Sequence, residues 1–360
     1  MKLLCGRRRL AWPVMIALFA VLSVAPEAAG QVELTARGAT LRLGGQIDLH
    51  ATGASTDAPD MFSIRRAWLI VDITHDEFLS GRFITDMVTA TVFDANVRFA
   101  FHPGFALSFG RFKRSFDLFE LESISDYLFL ERSGRVPGYS ACTGIGSICS
   151  YTSLTQRLLL VNRDTGLRAD GRIGPFGYTA SLTNGTRFGA TDDNDGKSTA
   201  TRAWVQVSEG LQIGMNAAYK DYVDPSGRTR YATVWGPDFG FGAYQGGLLV
   251  QAGVLTGDNW LSLSGGPGGA SEPGRFVTGQ LQVSIHLPTD LRRIEGVAPM
   301  LRVSVTDPDG NVDDDGGILL TPGIAAYLRG KTRITLNLDR YAPSTGSSVW
   351  AFRLGTLLHF

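Results

Sequence analysis

Apolar and polar side chains alternate with a period of two, in segment after segment from residue 40 to residue 360, and this rhythm limits the fold more than any other feature. In residues 349–360, Trp350, Phe352, Leu354, Leu358 and Phe360 share one face, and Ala351, Arg353, Gly355 and His359 share the other. In residues 92–102, Phe93, Ala95, Val97, Phe99 and Phe101 oppose Asp94, Asn96, Arg98, Ala100 and His102. Leu41, Leu43, Ile47 and Leu49 oppose Arg42, Gln46, Asp48 and His50 in the same way, as do Ile334, Leu336 and Leu338 against Arg333, Thr335, Asn337 and Asp339. A β-strand repeats every two residues, so each segment reads as a strand with one greasy and one wet face.

A soluble sandwich also alternates, and three features separate the two. The segments run about ten residues, the length a tilted strand needs to cross a bilayer and longer than most strands of soluble sheets. Their polar faces carry charges and amides throughout, as a water-filled interior requires. The chain also ends in Phe360 directly after an alternating strand with aromatic members, which resembles the C-terminal signature of bacterial outer-membrane barrels. The expected fold is all-β, a transmembrane antiparallel β-barrel located in the bacterial outer membrane. Glycine fits this, with 44 of 360 residues against roughly 25 at average usage, because glycine disfavours helices and suits turns and bulges.

Sixteen strands are expected, near residues 40–50, 62–74, 78–88, 91–101, 104–113, 157–172, 176–184, 199–208, 211–221, 229–238, 246–257, 275–286, 295–306, 318–328, 331–341 and 348–360. An even count leaves both ends on the periplasmic side, with short turns there and longer loops outside. The third outer loop, residues 114–156, is the longest. Its Phe116, Leu118, Phe119, Leu121, Ile124, Tyr127, Leu128, Phe129 and Leu130 are too apolar for a segment hanging in water. The expectation is a loop folded back against the inner wall, with an outer cap or a subunit contact as the alternative. The small residues Ala106, Ser108 and Gly110 of the preceding strand leave room for it.

Residues 1–30 read as a cleaved signal peptide: a basic start (Lys2, Arg7, Arg8, Arg9), an apolar stretch from Trp12 to Val24, and small residues before Gln31. The barrel domain is then residues 31–360. Removing the first 30 residues takes four basic groups and one acidic group from 34 of each, leaving 30 against 33. That near-balance argues against a nucleic-acid partner, which asks for a clustered basic face. Cys142 and Cys149 lie close together in a Gly/Ser-rich stretch, and an oxidising compartment favours a disulfide between them over two free thiols. The five histidines show no metal spacing, and no cofactor is expected. Asp307, Asp309, Asp313, Asp314 and Asp315 read as a solvated acidic loop, with calcium as the alternative.

Gly110-Arg111-Phe112-Lys113, followed by Phe116, Leu118 and Glu120 and then by Phe129-Leu130-Glu131-Arg132-Ser133, resembles the phosphate-selective porin family. So does Asn162-Arg163-Asp164-Thr165-Gly166-Leu167-Arg168, running through Gly174-Pro175-Phe176-Gly177-Tyr178 to Thr183-Asn184-Gly185. The resemblance implies a homotrimer of sixteen-stranded barrels with inward-folded loops, passing anions such as phosphate along lumen arginines and lysines. Strand parity turns Arg82, Arg98, Arg168, Arg202 and Arg302 towards the lumen, together with Asp48, Asp86, Asp94, Asp164, Asp170 and Asp339. Arg111, Lys113, Glu131 and Arg132 flank the folded loop, and Arg111, Lys113 and Arg132 are expected to set the field at the narrowest point. The function expected is passive diffusion of small hydrophilic solutes, anionic or neutral, with a weak anion preference and no catalysis. The expected surroundings are outer-membrane lipid and lipopolysaccharide. A lipase-like barrel enzyme and a plugged, non-conducting structural barrel are the alternatives.

Overall fold

The computed structural model describes residues 32–360 except 141, 143–144, 193 and 265–271, so the expected signal peptide lies outside the described residues. Its strands are β1 (Val32–Ala36), β2 (Ala39–Ala54), β3 (Met61–Thr74), β4 (Leu79–Asp86), β5 (Thr91–His102), β6 (Phe105–Lys113), β7 (Arg163–Ile173), β8 (Phe176–Thr183) and β9 (Ser198–Ser208). They continue as β10 (Leu211–Val223), β11 (Thr229–Phe241), β12 (Leu248–Asn259), β13 (Gly274–Ile285), β14 (Leu287–Leu291), β15 (Ile294–Asp307), β16 (Gly317–Arg329), β17 (Thr332–Pro343) and β18 (Val349–His359). All pairings are antiparallel between neighbours, and β18 pairs with β2 from Ala351↔Ala54 to His359↔Gln46, which closes the cylinder. The short β1 folds back on β2, and β14 prolongs the turn between β13 and β15. Setting those two aside, sixteen strands form the closed barrel.

Closure satisfies every strand's backbone groups and leaves no open edge in hydrocarbon. The alternation then sorts side chains by solvent. On β18, Trp350, Phe352 and Leu354 are 45%, 42% and 42% exposed on the outside, whereas Arg353 between them is 4% exposed inside. Aromatic side chains crowd both rims of the outer face, as membrane interfaces favour. At the short-turn end Phe78 contacts Phe99 and Phe101, and Phe101 stacks on Phe105. At the long-loop end Tyr219 stacks on Tyr231 with ring centroids 4.4 Å apart.

Three local features depart from the sequence expectation. The strand expected from residue 157 begins at Arg163, because Tyr151–Arg157 is a helix capped by Ser150, and Leu159 and Asn162 take left-handed backbone (φ 52 and 82) that ends any extended run. The third outer loop therefore runs on to residue 162. Second, a register shift between Ile84 and Thr85 bulges β5 at Phe93, whose ring packs 5.1 Å from that of Trp68 rather than following the outer face. Third, a shift between Asp48 and Leu49 bulges β3 at Arg65, so the tandem Arg65 and Arg66 side chains both reach the interior.

Candidate functional site

The interior is divided by residues 114–162. Their apolar side chains form a cluster inside the cylinder, in which Phe116, Phe119, Tyr127, Phe129, Ile145, Ile148, Tyr151 and Leu154 are buried together with wall residues such as Val234, Phe276, Leu319 and Tyr341. Cys142 and Cys149 are joined by a disulfide within it.

What holds this cluster in place is the polar inner face of the wall. Buried backbone groups need partners, and strand side chains supply them to the loop. The Ser115 amide donates to Ser181 Oγ at 3.0 Å on β8, and the Asp117 amide donates to Asn216 Oδ1 at 2.9 Å on β10. The Tyr151 amide donates to Ser304 Oγ at 2.8 Å on β15, and the Leu130 amide donates to Asn337 Oδ1 at 2.9 Å on β17. Gln282 on β13 donates to the Tyr127 hydroxyl at 2.9 Å. Arg302 donates to the carbonyls of Glu131 and Arg132 at 2.8 and 2.6 Å, Arg333 donates to those of Ser125 and Tyr127 at 2.6 and 2.7 Å, and Arg353 donates to that of Arg135. Arg302 and Arg353 share Asp339 as their counter-ion. The loop tip reaches the far rim, where Asp126 pairs with Lys331 at 2.6 Å beside the turn between β16 and β17.

The loop thus lies against β8 to β18 and against β2 and β3. Towards β4–β7 the loop's contacts are few: Arg114 pairs with Asp164 on β7 at 2.7 Å, and Lys113 of β6 donates to the Glu120 and Glu122 carbonyls. Nearer the long loops Ile84, Asp86, Asp94, Phe112 and Asp164 are buried, whereas the short-turn half of the inner face of β4–β7 keeps partial access to water. Arg82 and Asp72 stand there 3.3 Å apart with about half of each side chain exposed. Arg98 meets Asp170 at 2.5 Å and Arg168 meets the same carboxylate at 3.5 Å. Ser108 lies between Arg98 and Arg168 in the register, so the small face of β6 makes room for these two arginines rather than for the loop. Arg65 adds a fourth accessible guanidinium, 46% exposed and paired with Glu131 of the loop.

The expected site residues therefore separate into two groups. Arg82, Arg98 and Arg168 line the open wall, and Glu131 faces it from the loop. Arg111 donates to the Val92 carbonyl at 3.1 Å and sits 5.4 Å from the ring of Phe188 near the mouth. The expectation that Lys113, Arg132, Arg202 and Arg302 face passing solute is corrected by what covers them. Lys113 donates to the carbonyls of Glu120 and Glu122 at 2.6 and 2.7 Å. Arg132 is buried, donates to the Phe119 and Glu122 carbonyls, and lies 4.3 Å from the Tyr127 ring. Arg202 is buried in a two-pronged pair with Asp238, both contacts 2.7 Å, and Arg302 is fully buried under the loop. Lys113 and Arg132 clamp the loop; they do not set a field in open water. Sequence parity missed Arg65, Arg66 and Arg163, the last held by Asp94 at 2.8 Å. No group of three or more potential metal ligands is assembled among the described residues.

Two loop carboxyls give the docked state a pH dependence. Burial pushes Asp117 up to about 7 against the hydrogen bond from Tyr151, and burial pushes Glu122 up to about 7 against the nearby Arg132. In an undocked, hydrated loop both ionise near about 4. Docking is therefore fully supported below that value and loses support as pH rises through 7. The loop is expected to be cut faster by added protease at pH 8.5 than at pH 5.5; equal or reversed rates would contradict this assignment.

Comparison with known proteins agrees with this architecture. No curated protein matches by sequence. Among solved structures, the chain is similar to the outer-membrane channel DcaP of Acinetobacter baumannii, with a TM-score of 0.62 at 12% identity over 91% of this chain and 99% of that one. It is similar to an anion-selective porin from Comamonas acidovorans, with a TM-score of 0.59 at 12% identity over 89% and 100%. OmpT of Vibrio cholerae, an outer-membrane protein, gives a TM-score of 0.59 at 10% identity over 91% and 99%. The family model described as phosphate-selective porin O and P matches residues 39–240, more than half of the sequence. A closed sixteen-stranded cylinder, greasy outside and wet within, together with that match, places this chain in the phosphate-selective porin O and P family as a bacterial outer-membrane porin.

Proposed function

We propose that this porin is a passive diffusion path for small hydrophilic solutes with a weak preference for anions, and that it performs no covalent chemistry. The observation that carries the preference is the open wall. On it and on the adjoining β3, Arg65 and Arg82 are about half exposed, Arg98 about a third and Arg168 about a quarter, against Asp72, Asp170 and the mostly covered Glu131. Basic groups in a pore favour anions and carboxylates favour cations, and a small cationic excess gives a small bias. An arginine–carboxylate mixture of this kind suits general anions better than strict selection of phosphate. The likeness to OmpT of Vibrio cholerae in a trimer form supports a homotrimer for this chain too. The exposed apolar band supports contact with outer-membrane lipid, and lipopolysaccharide is the neighbour proposed for the long-loop rim.

The test is the zero-current potential of single channels in a potassium chloride gradient. The wild type is expected to pass chloride more readily than potassium. Changing Arg82, Arg98 and Arg168 together to glutamine should reverse that preference, because Asp72, Asp170 and Glu131 then outnumber the remaining guanidinium. An unaltered potential in the triple variant would show that this wall does not contact the ions.

A further inference from the structure

Arg65, Arg66 and His50 converge on one carboxylate, that of Glu131. Arg65 Nε donates to Oε1 at 2.5 Å and its Nη2 donates to Oε2 at 3.2 Å. Arg66 Nη2 stands 3.8 Å from Oε2, and His50 Nδ1 stands 3.9 Å from Oε1. A guanidinium fork laid on both oxygens is the arrangement by which arginine recognises carboxylates in general. The nest does not depend on Glu131 for its shape, since Arg66 is anchored on its other side by Asp48 at 2.8 Å. It is not sealed either, because Arg65 keeps almost half of its side chain in water.

The loop's main chain is held here independently of the Glu131 carboxylate. The Glu131 carbonyl accepts from Arg302 Nη1, and the preceding amide of Leu130 is held by Asn337. The main chain is therefore fixed from behind while the side chain reaches forward. With Glu131 in place the two arginines are balanced by two carboxylates; with it swung aside one positive charge is unmet.

We infer that Arg65, Arg66 and His50 form a carboxylate-binding site in the lumen whose resident occupant is the loop's own Glu131, so that an anionic solute is held there only by exchanging with it. This rests on the channel reading above and adds a reason for it. A pore must bind its solute weakly enough to release it, and a tethered competitor keeps the arginines from retaining what they attract.

The experiment is calorimetric titration of the detergent-solubilised full-length mature protein with malonate, alongside chloride conductance of the same samples in planar bilayers. Glu131→Gln keeps the length of the side chain and removes its charge. It is expected to tighten malonate binding about tenfold, equivalent to about 1.4 kcal/mol, and adding Arg65→Gln should abolish the gain. Unchanged affinity in Glu131→Gln, or a gain that survives the loss of Arg65, would overturn the site. Absence of chloride conductance in the wild type would instead overturn the channel reading, since the titration reads binding whether or not ions pass.

Discussion

Replacing Asp339 by alanine is expected to release the folded loop and to lower the stability of the barrel by about 3–5 kcal/mol, the usual cost of stripping a buried charge of its partner. Asp339 is buried on β17 and accepts from Arg302 at 2.9 Å, from Thr321 at 2.7 Å and from Arg353. Without it two buried guanidiniums face each other with no counter-charge. Those same guanidiniums carry the carbonyls of Glu131, Arg132 and Arg135. Strain at the carboxylate thus passes directly to the loop. The measurement is a urea titration of the refolded protein in detergent, with the mobility of unheated samples on gels as a second readout. Asp339→Asn keeps the size and one acceptor, so it should lose less than the alanine variant. Equal stability in wild type and Asp339→Ala would mean that Arg302 and Arg353 find other partners and that the shared carboxylate does not organise the interior.

The second large effect is on current. Replacing residues 116–160 by a short Gly/Ser linker is expected to leave the barrel able to fold and to raise single-channel conductance several-fold. A core deletion in a soluble protein uncovers mainly apolar surface, but here the uncovered wall is in large part polar, with groups such as Asn216, Gln282, Ser304 and Asn337 that water can satisfy beside apolar ones such as Val234 and Phe276. The ion preference should weaken at the same time, because in a wider bore the wall charges act across more than the screening length, about 10 Å at 0.1 M salt. Conductance equal to that of the wild type would show that the loop does not limit the current.

The fold was largely legible because the membrane imposes it. Each wall residue meets either lipid or the interior, and a period of two is the only pattern that satisfies both, so strands such as 331–341 and 348–360 stand out. Residues 157–162 misled for a related reason. Leu158, Leu159, Leu160 and Val161 form an unbroken apolar run in which periodicity has nothing to act on. Parity also aimed Arg202 and Arg302 inward, but it says nothing about what lies on top of them. Whether an inward arginine meets solute or a loop carbonyl depends on contacts more than a hundred residues away in sequence, as between Arg302 and Arg132. Arg65 was missed because one extra residue in β3 breaks the count locally, and its partner Glu131 is 66 positions further on.

The division of the interior has an evolutionary consequence. Residues on β8 to β18 that hold the loop are committed to architecture, and a change in any of them risks releasing it. Apart from Lys113, which clamps the loop, and Asp164, which holds Arg114, the strands from β4 to β7 carry little of that duty. Under the proposed function, exchanging side chains on that quarter of the circumference is expected to change which solutes pass at little cost to durability.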